Sequence, residues 1–220
     1  MSDRINDLFH RKKWDAARKL LELARKKDPN SHWLLTQLGV TLYEQGKYKD
    51  ALKMFLASQK IVPDCPLTLW NLAGALDALG KYPAAKRIYT WLLESKTSPD
   101  DDPCWESKEW TAALKADAVY RLGVCFQHLN EKRKAEHCYR QYLDLLLVGI
   151  DGTYSAEDVT KRIRSLHQSD KTNGAADELR KRVESTLRGS GIARIKGHRN
   201  GPPVIDGKKL LVGLSAKGVP

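Results

Sequence analysis

The chain has 220 residues, 41% hydrophobic and 30% charged, with a formal net charge of +11; this composition fits a globular chain with one core and a tail, not a wholly disordered one. Its most apolar run, Leu143 to Ile150, is far shorter than the ~20 residues that cross a bilayer, and MSDRINDLFHRKK offers no apolar export signal, so a cytoplasmic protein without a membrane span is expected. The charge sits at the ends, with nine Lys or Arg against four Asp or Glu in residues 1–27 and six against one in residues 189–220, a pattern that suits solvated tails, nucleic acid, an acidic partner or an anionic membrane surface.

Along the chain, one cadence recurs. The stretch GKYKDALKMF at Gly46 returns as GKYPAAKRIY at Gly80, 34 residues later. Leu38, Gly39, Leu42, Gly46, Tyr48, Ala51, Phe55 and Pro63 map onto Leu72, Ala73, Leu76, Gly80, Tyr82, Ala85, Tyr89 and Thr97. One period earlier stand Lys12, Trp14, Ala17, Leu21 and Pro29, preceded by a short, degenerate first half with Arg4, Ile5 and Leu8. A further copy, Leu122, Gly123, Phe126, Asn130, Ala135 and Tyr139, lies 84 residues after the first set; two periods make 68, so 84 − 68 leaves 16 inserted residues.

Apolar spacing at i, i+3, i+4 and i+7 predicts two short amphipathic helices per unit, one on each side of the Gly-Lys-Tyr turn. Gly46 and Gly80 suit a left-handed turn at the end of the first helix. Gly39 and Ala51 are expected to let paired helices approach closely, with Phe55 filling the space toward the next unit, and Pro63 ends the second helix.

A joint recurrence of residue types at this period resembles the tetratricopeptide repeat family, over about Asp3 to Leu147. The resemblance implies an all-α, right-handed superhelical stack of helix-turn-helix repeats. Units are expected at about 1–30, 31–64, 65–98 and 115–148, with an insertion at about 98–114. Within SPDDDPCWESKEW, Asp102 and Pro103 form a helix start, so the next helix either begins near Pro103 or follows a separate short one. The same chemistry accounts for Asp100 to Asp102 more simply than a cation site does.

After Gly149 the repeat stops. Val159, Ile163 and Leu166, then Ala175, Leu179, Val183 and Leu187, mark two helical faces, and residues 149–188 are expected to cap the stack. Residues 189–220 are read as a basic, disordered tail, in which VIDGKKLLVGL is a candidate hook for a partner.

No catalytic constellation or phosphate-binding loop is present among the motifs, and no cofactor is expected. The four cysteines form no C-x-x-C pair and read as free thiols in preference to a metal set of Cys125, His128, His137 and Cys138. What the resemblance implies is a peptide-binding groove lined by the first helix of each unit. Its positions are Trp33, Thr36, Val40 and Tyr43, then Leu67, Trp70, Asn71, Gly74 and Asp77, then Asp117, Tyr120, Arg121, Val124 and Gln127. Trp33 and Trp70 fit either the groove or the core. Some family members clamp acidic chaperone tails; Asn6, Asn71 and Arg121 are compatible with that, whereas Thr36, Val40 and Asp117 are not. The leading expectation is a non-catalytic adaptor for a partly apolar protein segment. A nucleic-acid-associated protein is the alternative, and self-association through an exposed stack end is a third reading.

Overall fold

The computed structural model describes residues 2–97, 100 and 102–167. The chain divides into two compact units, Met1–Thr160 and Lys161–Pro220. In the second unit, residues 161–167 are helical. The predicted face from Ala175 to Leu187 and the basic tail lie outside the described residues.

In the first unit, helices follow one another in pairs: α1 Ser2–His10 with α2 Trp14–Lys27, α3 His32–Glu44 with α4 Tyr48–Ile61, and α5 Pro66–Ala78 with α6 Tyr82–Glu94. A short 3-10 turn, Pro103–Trp105, precedes α7 Lys108–His128 and α8 Lys132–Leu147. There is no strand among the described residues, and no helix long and apolar enough to cross a membrane. Successive helices pack on one another, and α3 also touches α5 as α5 touches α7. The result is the ordered stack that the period demands.

The turn within each pair has one conformation. Lys12, Gly46, Gly80 and Asn130, which share a phase, have φ of 52°, 72°, 70° and 61°. In each case the next residue's N–H reaches back to a carbonyl five residues earlier, as in Lys47 N–H to Leu42 O at 2.9 Å and Glu131 N–H to Phe126 O at 2.8 Å. Such a left-handed closure satisfies the carbonyls at a helix end. The motif thus survives in two units without its glycine.

Core positions repeat as well. Ala17, Ala51, Ala85 and Ala135 are fully buried, as are Leu21, Phe55, Tyr89 and Tyr139. A Cβ at Gly39 would stand 2.3 Å from the Phe55 ring, and one at Gly123 would stand 2.8 Å from that of Tyr139. Phe55 therefore lies directly over Gly39 within its own pair, where the sequence suggested that it filled the gap to the following unit. Glycine is required there by space, not by backbone angle.

The insertion resolves as the separate short helix. Asp102 Oδ1 accepts the Cys104 N–H at 2.8 Å and its carbonyl accepts the Trp105 N–H at 3.0 Å. Ser107 then caps α7, accepting the Trp110 N–H at 3.1 Å. Trp105 is only 1% exposed. Its carbonyl accepts Thr111 Oγ1 at 3.0 Å, and Lys115 Nζ stands 5.4 Å from its ring centre. A large apolar side chain, not the acidic run, pins the insertion down.

Candidate functional site

The helices α3, α5 and α7 and the segment after α8 surround a cavity of about 240 Å³. Val40, Tyr43 and Glu44 line it from α3, Trp70, Asn71 and Gly74 from α5, and Asp117 and Arg121 from α7. Tyr89 of α6 forms part of the wall. Thr153 and Tyr154 close it from the segment beyond Gly149.

That closing segment is held by its own chemistry. Gly149 has a φ of 83°, which turns the chain back after α8. At Gly152 a Cβ would stand 2.2 Å from the Tyr142 hydroxyl, so only glycine admits that hydroxyl. Tyr142 Oη donates to Tyr154 O and accepts the Tyr154 N–H, each at 2.9 Å. Asp117 accepts both the Thr153 N–H, at 2.9 Å, and the Thr153 hydroxyl. Tyr154 stacks on Tyr120 at 3.7 Å with an interplanar angle of 17°.

Arg121 forms part of the cavity wall. Its Nη1 donates to Asp77 Oδ2 at 3.0 Å, and its guanidinium carbon is 5.5 Å from the Tyr154 ring centre. Burial opposes the charge, but the Asp77 carboxylate and the tyrosine oxygens around it raise the pKa overall, with Asp77 the only anion among them at ordinary pH, so Arg121 stays a cation. Burial pushes the Tyr154 hydroxyl up to about 12, and raises those of Tyr43 and Tyr89 too. These phenols are neutral donors at ordinary pH. Arg121 Nε and the Tyr89 hydroxyl are buried without a hydrogen-bond partner, an arrangement that native interiors rarely leave unmet.

Of the residues expected to line a groove, Val40, Tyr43, Trp70, Asn71, Asp117 and Arg121 therefore meet around one space, with Gly74 beside them. The others have different places. Thr36 is 1% exposed, and its hydroxyl bonds those of Ser58 and Thr68 at 2.8 Å each, because α4 and α5 both cover that side of α3. Asp77 and Tyr120 are buried, one under Arg121 and the other under Tyr154. Val124 is also buried. Trp33 packs against the core of Ile5, Leu21, Ala24, Leu34 and Leu38, whereas Trp70 faces the cavity and meets the Tyr89 ring edge-on at 5.6 Å. Leu67 lies outside the cavity and accepts Asn71 Nδ2 on its carbonyl at 2.8 Å. Gln127 also lies outside, accepting the Tyr139 hydroxyl at 2.7 Å.

Sequence reasoning missed Glu44, Tyr89, Thr153 and Tyr154. Tyr89 occupies the repeat's core phase, and only its hydroxyl marks it as different from Phe55. Thr153 and Tyr154 follow the point where the period ends. As for the cysteines, burial raises Cys125 to about 12 and Cys138 to about 11, and the His128 ring stacks on Tyr82 at 4.1 Å, so these are packed side chains.

Family profiles described as tetratricopeptide repeat match residues 8–67 and 117–145. No curated protein matches the chain. Among solved structures, the fold is similar to that of MamA 41-end from Desulfovibrio magneticus RS-1, at 17% identity and a TM-score of 0.58, covering 87% of this chain and 95% of that one. A MamA RS-1 double mutant gives the same score and identity over 86% and 94%. A further MamA crystal structure gives 0.55 at 18% identity, over 88% and 94%.

Proposed function

Because the chain is a tetratricopeptide-repeat protein, and hence a protein-interaction scaffold, we propose that it is a non-catalytic adaptor that takes a partly apolar segment of another protein into the cavity between α3, α5 and α7. One observation carries this reading. Aromatic side chains and the Arg121 residue line a single open space contributed by three successive repeats. Tyr43 and Trp70 offer apolar area at small entropic cost.

The charges favour a neutral or cationic segment. Arg121 is already matched by Asp77, and Asp117 and Glu44 add negative charge beside it. An acidic terminal tail would meet two carboxylates next to the arginine. Chaperone-tail clamping is therefore disfavoured on this reading.

The test fills the cavity without disturbing the fold. A Cβ at Gly74 would have nothing within 4 Å, so Gly74→Leu should project into the space. Peptides selected from a displayed library on the full chain should bind the variant at least about tenfold more weakly, a loss of about 1.4 kcal/mol. Equal binding would refute the cavity as the site. Between 50 and 200 mM salt the wild-type affinity should change little, whereas a fall of about 10³ would mark phosphate-led binding to nucleic acid.

A further inference from the structure

The insertion brings a second group of side chains together, away from the cavity. His32, Cys65 and Cys104 place one potential ligand atom each within 4.8 Å of one another. We propose that these three residues form a binding site for a divalent cation of the zinc class, assembled when the insertion docks on the starts of α3 and α5.

The donor set is the first argument. Two thiols and an imidazole are soft-to-borderline ligands that select Zn²⁺ over Mg²⁺ or Ca²⁺. In a tetrahedral site with bond lengths of about 2.0–2.3 Å, ligand atoms stand about 3.5–3.8 Å apart. To reach that spacing the present trio must draw inward by about an ångström. His32 and Cys104 are partly exposed and Cys65 is buried, so an ion has a route in and a fourth position is left to solvent.

A second argument is that the scaffold holds these positions firmly. His32 is the first residue of α3, and Cys65 occupies the N-cap of α5. His32 O accepts Thr36 Oγ1 at 2.9 Å and Ser58 Oγ at 2.8 Å. Ser58 Oγ in turn lies 3.0 Å from Thr68 Oγ1, one turn beyond Cys65. Buried hydroxyls thus lock the two helix starts together.

Cys104 supplies the remaining ligand. It sits in the 3-10 turn that Asp102 opens and Trp105 anchors, and that turn packs on α5. The Asp102 carboxylate, which accepts the Cys104 N–H at 2.8 Å, stands beside the ligand trio and fixes the backbone of this ligand. The residues that resemble a metal set in sequence, Cys125 to Cys138, have no part in it.

Zn²⁺ alone, titrated into the reduced full-length chain against a chromophoric chelator, tests this. One equivalent should bind with release of protons, and Co²⁺ should give a thiolate charge-transfer band and intense tetrahedral visible bands. Cys65→Ser and Cys104→Ser should each weaken binding at least about 100-fold, beyond the effect of an outer-shell change, while Cys138→Ser retains it. Circular dichroism checks that each variant is folded, and His32→Gln gives an independent reading from a partly exposed position. Zn²⁺ should also slow alkylation of Cys104 in the unaltered protein. Failure to compete with the chelator, an octahedral cobalt spectrum, equal loss in Cys138→Ser, or a Cys65–Cys104 disulfide with no bound metal would each overturn the site.

Discussion

Two glycines on equivalent inner helices should respond in opposite directions to the same added methyl. Gly74 lies inside α5, where its missing side chain leaves open space, while Gly39 lies inside α3 beneath Phe55. Replacing a helical glycine by alanine gains about 0.8–1.0 kcal/mol, through lower backbone entropy in the unfolded chain. At Gly74 nothing opposes this, so stability should rise by about that amount. At Gly39 the new Cβ would stand 2.3 Å from the Phe55 ring. Phe55 is fully buried and has nowhere to go. Overpacking of this kind costs about 1–3 kcal/mol, leaving Gly39→Ala neutral to about 2 kcal/mol less stable. With a urea slope of about 2 kcal/mol/M, the Gly74→Ala midpoint should move up by about 0.4–0.5 M and the Gly39→Ala midpoint down by up to about 1 M. Urea unfolding followed by far-UV circular dichroism reads both. If Gly74→Ala fell as far as Gly39→Ala, the cavity beside Gly74 would not exist in solution. A stabilised Gly39→Ala would remove Phe55 from its assigned place.

Two further substitutions probe the core. Thr36→Val keeps shape but leaves the Ser58 and Thr68 hydroxyls short of a partner, at a cost of about 1–3 kcal/mol; Thr41→Val, which loses only a bond to Gln37 O in its own helix, should be milder, and equal unfolding midpoints would refute the hydroxyl link. Trp105→Ala should cost about 3–5 kcal/mol in the same assay with helicity retained, whereas a loss under about 1 kcal/mol would show that the insertion is not anchored there.

How legible this was in the sequence depended on how local each signal is. The turns, the alanine phase and the aromatic phase are set by neighbours one period apart, so the stack could be read from residue spacing alone. The walls of the cavity were half legible. Val40, Tyr43, Trp70, Asn71, Asp117 and Arg121 follow from helix phase. Thr36 does not, because its burial depends on where α4 and α5 cross α3. Tyr154 could not be seen at all, since its position rests on one tyrosine hydroxyl and on the space left by Gly152. The grouping of His32, Cys65 and Cys104 was hidden for a related reason. Three single residues carry no spacing signature until a non-repeating loop folds onto two repeats.

The hydroxyl cluster at Thr36, Ser58 and Thr68 has a consequence for how the molecule avoids wrong assembly. An oily seam tolerates slippage by a turn, since one aliphatic surface substitutes for another. Here any slip, or a swapped copy offering a plain aliphatic face, would strand polar groups away from water at about 1–3 kcal/mol apiece. The second and third pairs thus recognise each other as key and lock, and fidelity of stacking order is written into three small side chains.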